Sequence, residues 1–316
     1  MAVRSTLAAL IGVGLVVAGA GAAQGKTVIA AAGVIACDPA DANFNGGLGI
    51  SGLCRQKRTA NLILERGDYD RVLGLGDQQY QAGTLDNYLA SYDLSWGGQL
   101  KPLTRPVPGN HEYDDPAGGA KGYFDYFNGE GVQDGPAGTR GQGFYSFDLG
   151  PWHLIALNSM CSQVSCGANS PQGQWLQADL EANDKQCVLA YWHFPRFSSG
   201  RGGDPAPGGN WGGALPFWNK LYAAGADVVL GGQQHNYERF RPQTPSGAHD
   251  PEDGIREFVV GTGGRSKHEF ESVRPNSRVR LVNFGVLRMR LLSDRYRWRF
   301  RNPDGKLLDS GETDCH

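Results

Sequence analysis

Three features of the sequence predict an α/β fold in one domain. Short apolar strands alternate with amphipathic helices along most of the chain, the pattern of layered helix and sheet. The 47 glycines point to many tight loops between those elements. A composition of 40% apolar and 10% aromatic residues can bury a substantial core and excludes a disordered chain. The length of 316 residues permits one large domain or two ordinary ones. No internal repeat or low-complexity linker divides it, which favours one. A net charge of -2 argues against a general nucleic-acid binder.

The chain begins with Arg4, an apolar run from Leu7 to Ala20 and the small-x-small triplet Ala20-Gly21-Ala22. That layout is a secretory signal peptide over residues 1–22, and 23–316 is then the exported domain. The run is too short and too rich in Gly and Ala for a membrane anchor; a buried first helix is the alternative. No other segment reads as a bilayer span, so a secreted product, extracellular or periplasmic, is expected.

Val28 to Ile35 reads as a buried strand. Arg55 to Arg66 places Ala60, Ile63 and Leu64 on one helical face and stops at Gly67, a helix-ending residue. Val72 to Leu75 is a second strand, and Thr84 caps a helix to Trp96. Later strands are His153 to Leu157, Val188 to Trp192, Val228 to Leu230 and Phe258 to Val260. Ser170-Pro171 opens a helix to about Asn183. In Arg295 to Arg301, Tyr296, Trp298 and Phe300 alternate with arginines. Arg288 and Arg290 flank Met289 one strand earlier, with Ser293-Asp294 as the turn. This is a hairpin with a buried aromatic face and a guanidinium face, either a polyanion-binding stripe or an ordinary solvated surface.

Export also changes how the cysteines read. Cys37, Cys54, Cys161, Cys166, Cys187 and Cys315 form an even set, expected as disulfides in an oxidising compartment. Cys161 and Cys166 are close enough to close a small loop. Cys315 could then staple the C-terminus to Cys187, leaving Cys37 with Cys54. No Cys-x-x-Cys pair supports a zinc site.

Four segments share one design, an apolar strand and then a polar residue able to bind a metal, with Gly between the two in three of them. They are Leu75-Gly76-Asp77-Gln78-Gln79-Tyr80, Pro108-Gly109-Asn110-His111-Glu112, Ala190-Tyr191-Trp192-His193 and Gly231-Gly232-Gln233-Gln234-His235-Asn236. In α/β sheets ligands bind beyond the C-terminal strand ends, so these residues are expected at one rim. Arg196, Arg201 and Arg239 flank the motif histidines and are candidate phosphate clamps or plain loop charges. Asn236 to Arg239 are expected to brace the His235 loop. His153 reads as structural, and His249, His268 and His316 as surface residues.

The ordered motifs Gly76-Asp77-x-x-Tyr80, Gly109-Asn110-His111-Glu112, His193 and Gly232-x-x-His235 resemble the calcineurin-like metallophosphoesterases, and Tyr80 points to the purple acid phosphatase-like branch. The resemblance implies a four-layer αββα sandwich of two mixed β-sheets flanked by helices. It implies a phosphoesterase with two metal ions (Fe, Zn or Mn) and a phosphate-ester substrate. Asp77 would bridge the metals, Tyr80 and His235 would hold the first, and Asn110 and His193 the second. His111 would lie against the phosphate as the catalytic residue. The logic is two-metal hydrolysis, with the cations about 3.5–4 Å apart and a water acidified between them.

Two positions depart from the branch. Gly33-Val34-Ile35-Ala36-Cys37-Asp38-Pro39 has Val34 where a ligand Asp stands in relatives, and Gln233 replaces the first His of Gly-His-x-His. Phe194 also stands where relatives commonly have a second His. Gln offers only a neutral carbonyl oxygen. The alternative to a working hydrolase is therefore a catalytically weak or inactive relative that keeps the fold as a binding protein.

Overall fold

A computed structural model describes Met1 and residues 27–50, 52–200 and 211–316; the expected signal peptide and Arg201 lie outside the described residues. The first half contains β1 (Thr27–Ala32), α1 (Gln56–Leu64), β2 (Arg71–Leu75), α2 (Leu85–Asn87), β3 (Thr104–Val107), α3 (Asn110–Tyr113) and α4 (Lys121–Asn128). Then come β4 (Tyr145–Leu149), β5 (Trp152–Ala156), α5 (Pro171–Ala182), β6 (Cys187–Trp192), α6 (Leu215–Ala223) and β7 (Val228–Gly231). The last part is all strand: β8 (Tyr237–Phe240), β9 (Arg256–Val260), β10 (Ser277–Leu281), β11 (Val286–Leu291), β12 (Arg295–Arg301) and β13 (Leu307–Asp314).

These strands form two mixed sheets, one ordered β13-β12-β11-β1-β2-β3 and the other β10-β8-β9-β7-β6-β5-β4. Strands β1-β2-β3, at one end of the first sheet, and β5-β6-β7-β9, inside the second, run parallel, and the remaining strands pair antiparallel. Strand alternation explains the layers. Leu154, Leu189, Tyr191, Leu230 and Phe258 belong to the core shared with the first sheet. Their neighbours Ile155, Val188, Ala190 and Val229 belong to a second core with Leu176 of α5 and Phe217, Trp218 and Leu221 of α6. Both faces of the second sheet are therefore buried, which is why its strands read as continuous apolar runs. The aromatic face of β12 closes the inter-sheet core: Phe300 stacks on Tyr237 and Trp298 packs edge-on against Phe258.

Two elements differ from expectation. β1 ends at Ala32 rather than Ile35, because Val34 turns to φ +59° and donates its N–H to Gly76 O. The helix after Thr84 starts as expected, with the Thr84 hydroxyl accepting from Asn87 N, but widens to π geometry over Tyr88–Gly97. There Gln79 Oε1 accepts the Tyr92 N–H, and a side chain inserted into the helix ladder widens it. Three disulfides, Cys37–Cys54, Cys161–Cys166 and Cys187–Cys315, match the expected pairing. Among the described residues no helix is long and apolar enough to cross a membrane.

Candidate metal centre

The motif residues meet because each follows the C-terminal end of a parallel strand: Asp77 after β2, Asn110 after β3, His193 after β6, and His235 in the loop after β7. Close approach of these loops requires glycine. A Cβ on Gly76, which sits at φ +79°, would lie 2.3 Å from His193 Nδ1, and one on Gly109 would lie 2.3 Å from Asp77 Oδ1.

Asp77 is buried at the centre, and its two oxygens face different neighbours. Oδ2 accepts the Tyr80 hydroxyl at 2.5 Å, and that hydroxyl is 3.5 Å from His235 Nε2. Oδ1 lies 3.3 Å from His193 Nε2, which is also 3.3 Å from Asn110 Oδ1. His193 Nδ1 faces the Leu75 carbonyl at 2.8 Å and so carries the hydrogen, turning Nε2 inward. The same logic applies to His111: Nδ1 meets Gln81 O at 2.5 Å, and Nε2 stands 3.9 Å from Asp77 Oδ2. The His111 ring packs on Tyr80, with centroids 4.1 Å apart.

The charges fit a cation site. Burial works against the Asp77 carboxylate, but His193 and His111 beside it hold its pKa below the usual range. Burial opposes a charged His193 as well, yet Asp77 raises its pKa. Burial, with His268 next to it, drops His235 to about 3, so its imidazole is a neutral donor for a metal. Tyr80 is raised by burial and then by Asp77, and its proton stays on unless a cation displaces it.

Inward-facing oxygen and imidazole donors, with no thiolate, suit iron, zinc or manganese. The Asn110–His193 side fits best. Gln233 lines the adjoining cavity with Asn110, and its Oε1 is buried with no hydrogen-bond partner among the described residues, an orphan a cation would satisfy. The Tyr80–His235 side is poorer. Val34 adjoins it through its bond to Gly76 but has no donor atom in its side chain. Asp38 is held in a turn, accepting from Ala40 N and Gln81 N.

Two groups at this centre escaped the sequence reading. Glu112 is fully buried; its Oε2 accepts from Asp77 N and Gly109 N, and its Oε1 from Gln78 N, Gln79 N and the Tyr88 hydroxyl. It clamps the β2 and β3 loops together, and the signal was its place three residues after Gly109 at a helix start. The second group follows β9: Arg265 lies 5.4 Å over the Tyr80 ring, Ser266 Oγ holds His235 Nδ1 at 2.6 Å, and His268 stacks on His235 at 4.1 Å. Gly261-Thr262-Gly263-Gly264 repeats the strand-then-Gly design a fourth time. His268 is exposed as expected, but it belongs to the rim.

Two proposed phosphate clamps are corrected. Arg196 is buried, donates to Pro245 O and lies over Phe197. Arg239 is paired through two nitrogens with Asp309 in the inter-sheet core. The His235 loop is braced by Asn236, whose amide donates to His268 O, while Glu238 binds Ser199 and Ser277. A cavity of about 370 Å³ beside Asn110 and Gln233 is walled by Ser159, Met160, Phe194 and Trp211, room for a small ester.

No family model matches the chain. Over 262 residues it is 31% identical to purple acid phosphatase 21 of Arabidopsis thaliana, covering 78% of this chain and 57% of the relative. It is 26% identical over 275 residues to acid phosphatase type 7 of Homo sapiens, covering 78% and 61%. The chain thus spans less than two thirds of the length of these relatives. A purple acid phosphatase from yellow lupin seeds has the same fold, with a TM-score of 0.68 at 21% identity over 92% of this chain and 54% of that one.

Proposed function

We propose a function from one premise: the chain belongs to the calcineurin-like metallophosphoesterases, on their purple acid phosphatase-like branch. The branch uses a dinuclear metal centre. The protein is a secreted, metal-dependent phosphoesterase that hydrolyses phosphate esters. The observation carrying this reading is Asp77, buried with one oxygen turned to Tyr80 and the other to His193 beside Asn110.

Cations held there by Asp77, Tyr80, Asn110, His193 and His235 would supply charge for the phosphoryl oxygens and an acidified water for in-line attack. Asp77 joins the two donor pairs, Tyr80 with His235 and Asn110 with His193. Glu112 keeps the loops of Asp77 and Asn110 in register. His111, oriented by Gln81 O, presents Nε2 to the leaving oxygen, where it stabilises developing charge or gives a proton. Phe194 and Trp211, stacked 4.6 Å apart, shield one wall of the ester cavity from water.

Val34 and Gln233 favour a second reading, a hydrolase weakened by its missing donors or a silent relative that binds without turnover. Metal analysis by mass spectrometry, with turnover of a chromogenic phosphomonoester, separates the two. Bound metal with turnover supports the hydrolase; protein that stays metal-free and inert in excess metal overturns it. The Val34→Asp/Gln233→His variant should gain metal affinity and rate by about 10–100-fold or more. No gain in metal content would show that these two positions do not face the centre.

A further inference from the structure

The arginines of the C-terminal hairpin are not absorbed by the phosphoesterase reading, and they line a surface cavity of about 380 Å³. It lies on the outer face of the first sheet, against the segment following α1. Arg66, Arg288, Arg290, Arg297 and Arg299 surround it, with Asp68 as its one carboxylate. A second cavity of about 170 Å³ shares Arg66, Arg288 and Arg299 and adds Arg301 and Glu65. Together they form an elongated groove.

An ordinary solvated sheet face spaces its charges with opposite neighbours, because like charges directly across a ladder destabilise it. Here Arg288 is paired with Arg299 and Arg290 with Arg297, two like-charge pairs side by side. Opposite these arginines on β1 stand Val28 and Ala30, small side chains that leave the groove open. Compensation is incomplete. Arg297 pairs with Glu312 at the rim, and Arg288 pairs with Asp68, which Arg66 shares at 3.6 Å. Arg290 and Arg299 have no ion pair among the described residues. Arg288 is only 10% exposed, lies over the Tyr69 ring, and its Nε has no partner among the described residues. Six arginines thus face three carboxylates (Glu65, Asp68 and Glu312) in a chain whose net charge is -2.

We propose that this groove is a binding site for a short linear oligoanion carrying several phosphate groups in a row, separate from the candidate metal centre. Guanidinium forks match tetrahedral oxyanions with two parallel hydrogen bonds. The like-charge ladder pairs, a burden on the empty protein, become adjacent binding positions when anions lie between them. Two adjoining cavities that share Arg66, Arg288 and Arg299 offer more than one phosphate position, which favours a chain of phosphates over a single one.

The test is titration of the whole protein with tripolyphosphate and with inorganic phosphate, followed by calorimetry. Wild type should bind tripolyphosphate with an affinity that falls as salt rises. Inorganic phosphate should bind far more weakly in the groove. The Arg290→Ala/Arg299→Ala variant should lose about tenfold or more in affinity while keeping phosphomonoester turnover. An Asn110→Ala variant should bind tripolyphosphate as wild type does, whatever happens to turnover. Undiminished binding by the double arginine variant overturns the proposal, as does loss of binding in Asn110→Ala, which would place the anion at the metal centre. Arg299 is exposed and Arg290 half-buried, and circular dichroism would check that the variants are folded.

Discussion

Glu112 and Gly109 show how much of the centre rests on single residues that never touch a ligand. Four backbone N–H groups and one hydroxyl converge on the Glu112 carboxylate, which burial, and then Asp77, push up in pKa against those donors. Glu112→Gln keeps the volume but turns an amide NH2 toward backbone N–H groups, which can only donate. The variant should lose about 3 kcal/mol or more, read as a lowered urea midpoint. Gly109→Ala strikes site and clamp together. The backbone there, φ -108° and ψ -171°, is one alanine adopts readily, but the added carbon would lie 2.3 Å from Asp77 Oδ1, 2.5 Å from Asp77 N and 2.9 Å from His193 Nε2, so the Asp77 backbone must shift as well as the two side chains. We expect metal affinity to fall about 10–100-fold and Tm to fall with it; calorimetry and metal titration on one sample check both. At this scale the motif side chains were legible because strand-then-Gly punctuation marks the rim. The clamp was not, since a buried Glu and a surface Glu look alike until their partners fold beside them.

Polar ties between elements follow the same rule. His153 on β5 bonds Asp148 on β4 through Nδ1 at 2.8 Å and Asp179 on α5 through Nε2 at 2.9 Å. Burial opposes its charge, but the two carboxylates prevail and raise its pKa above the usual 6.5. A raised histidine pKa contributes stability fully at pH below about 6.5, lost as pH rises through the folded value. Urea midpoints at mildly acidic and mildly alkaline pH should therefore differ more in wild type than in His153→Gln; equal pH dependence would show that the tie carries no charge. Asp309 plays the corresponding part between the sheets, accepting from Arg239, Tyr237 and Trp298. Its loss in Asp309→Ala leaves a nearly buried guanidinium unpaired, at a cost of about 3–5 kcal/mol by thermal unfolding. The strands were legible from apolar runs and alternation, and so was the buried aromatic face of β12. Arg239 was misjudged because its partner lies 70 residues away, and the π-widened helix because Gln79 reaches it from another loop.

Across the whole molecule, two sheets that each need the other are joined covalently at one end. Cys187 begins β6 in the second sheet, and Cys315 follows β13, the edge strand of the first. The same tail is pinned by Cys315 N to Asp294 O and by His316 N to Asp227. With Cys161 matched to Cys166 the other four cysteines still allowed three arrangements, and the sheet-to-sheet staple depends on where β13 docks, which the sequence does not show. The bridge spans 128 residues, the others 17 and 5. If closing the unfolded chain is what counts, removing it as Cys187→Ser/Cys315→Ser should cost about 5 kcal/mol. Cys161→Ser/Cys166→Ser should cost about 2. Both double variants avoid a free thiol, and guanidinium unfolding monitored by tryptophan fluorescence reads the difference directly. A smaller loss from the long bridge than from the short one would mean that the interlocked aromatic core already holds the sheets together. The staple would then serve only the C-terminal tail.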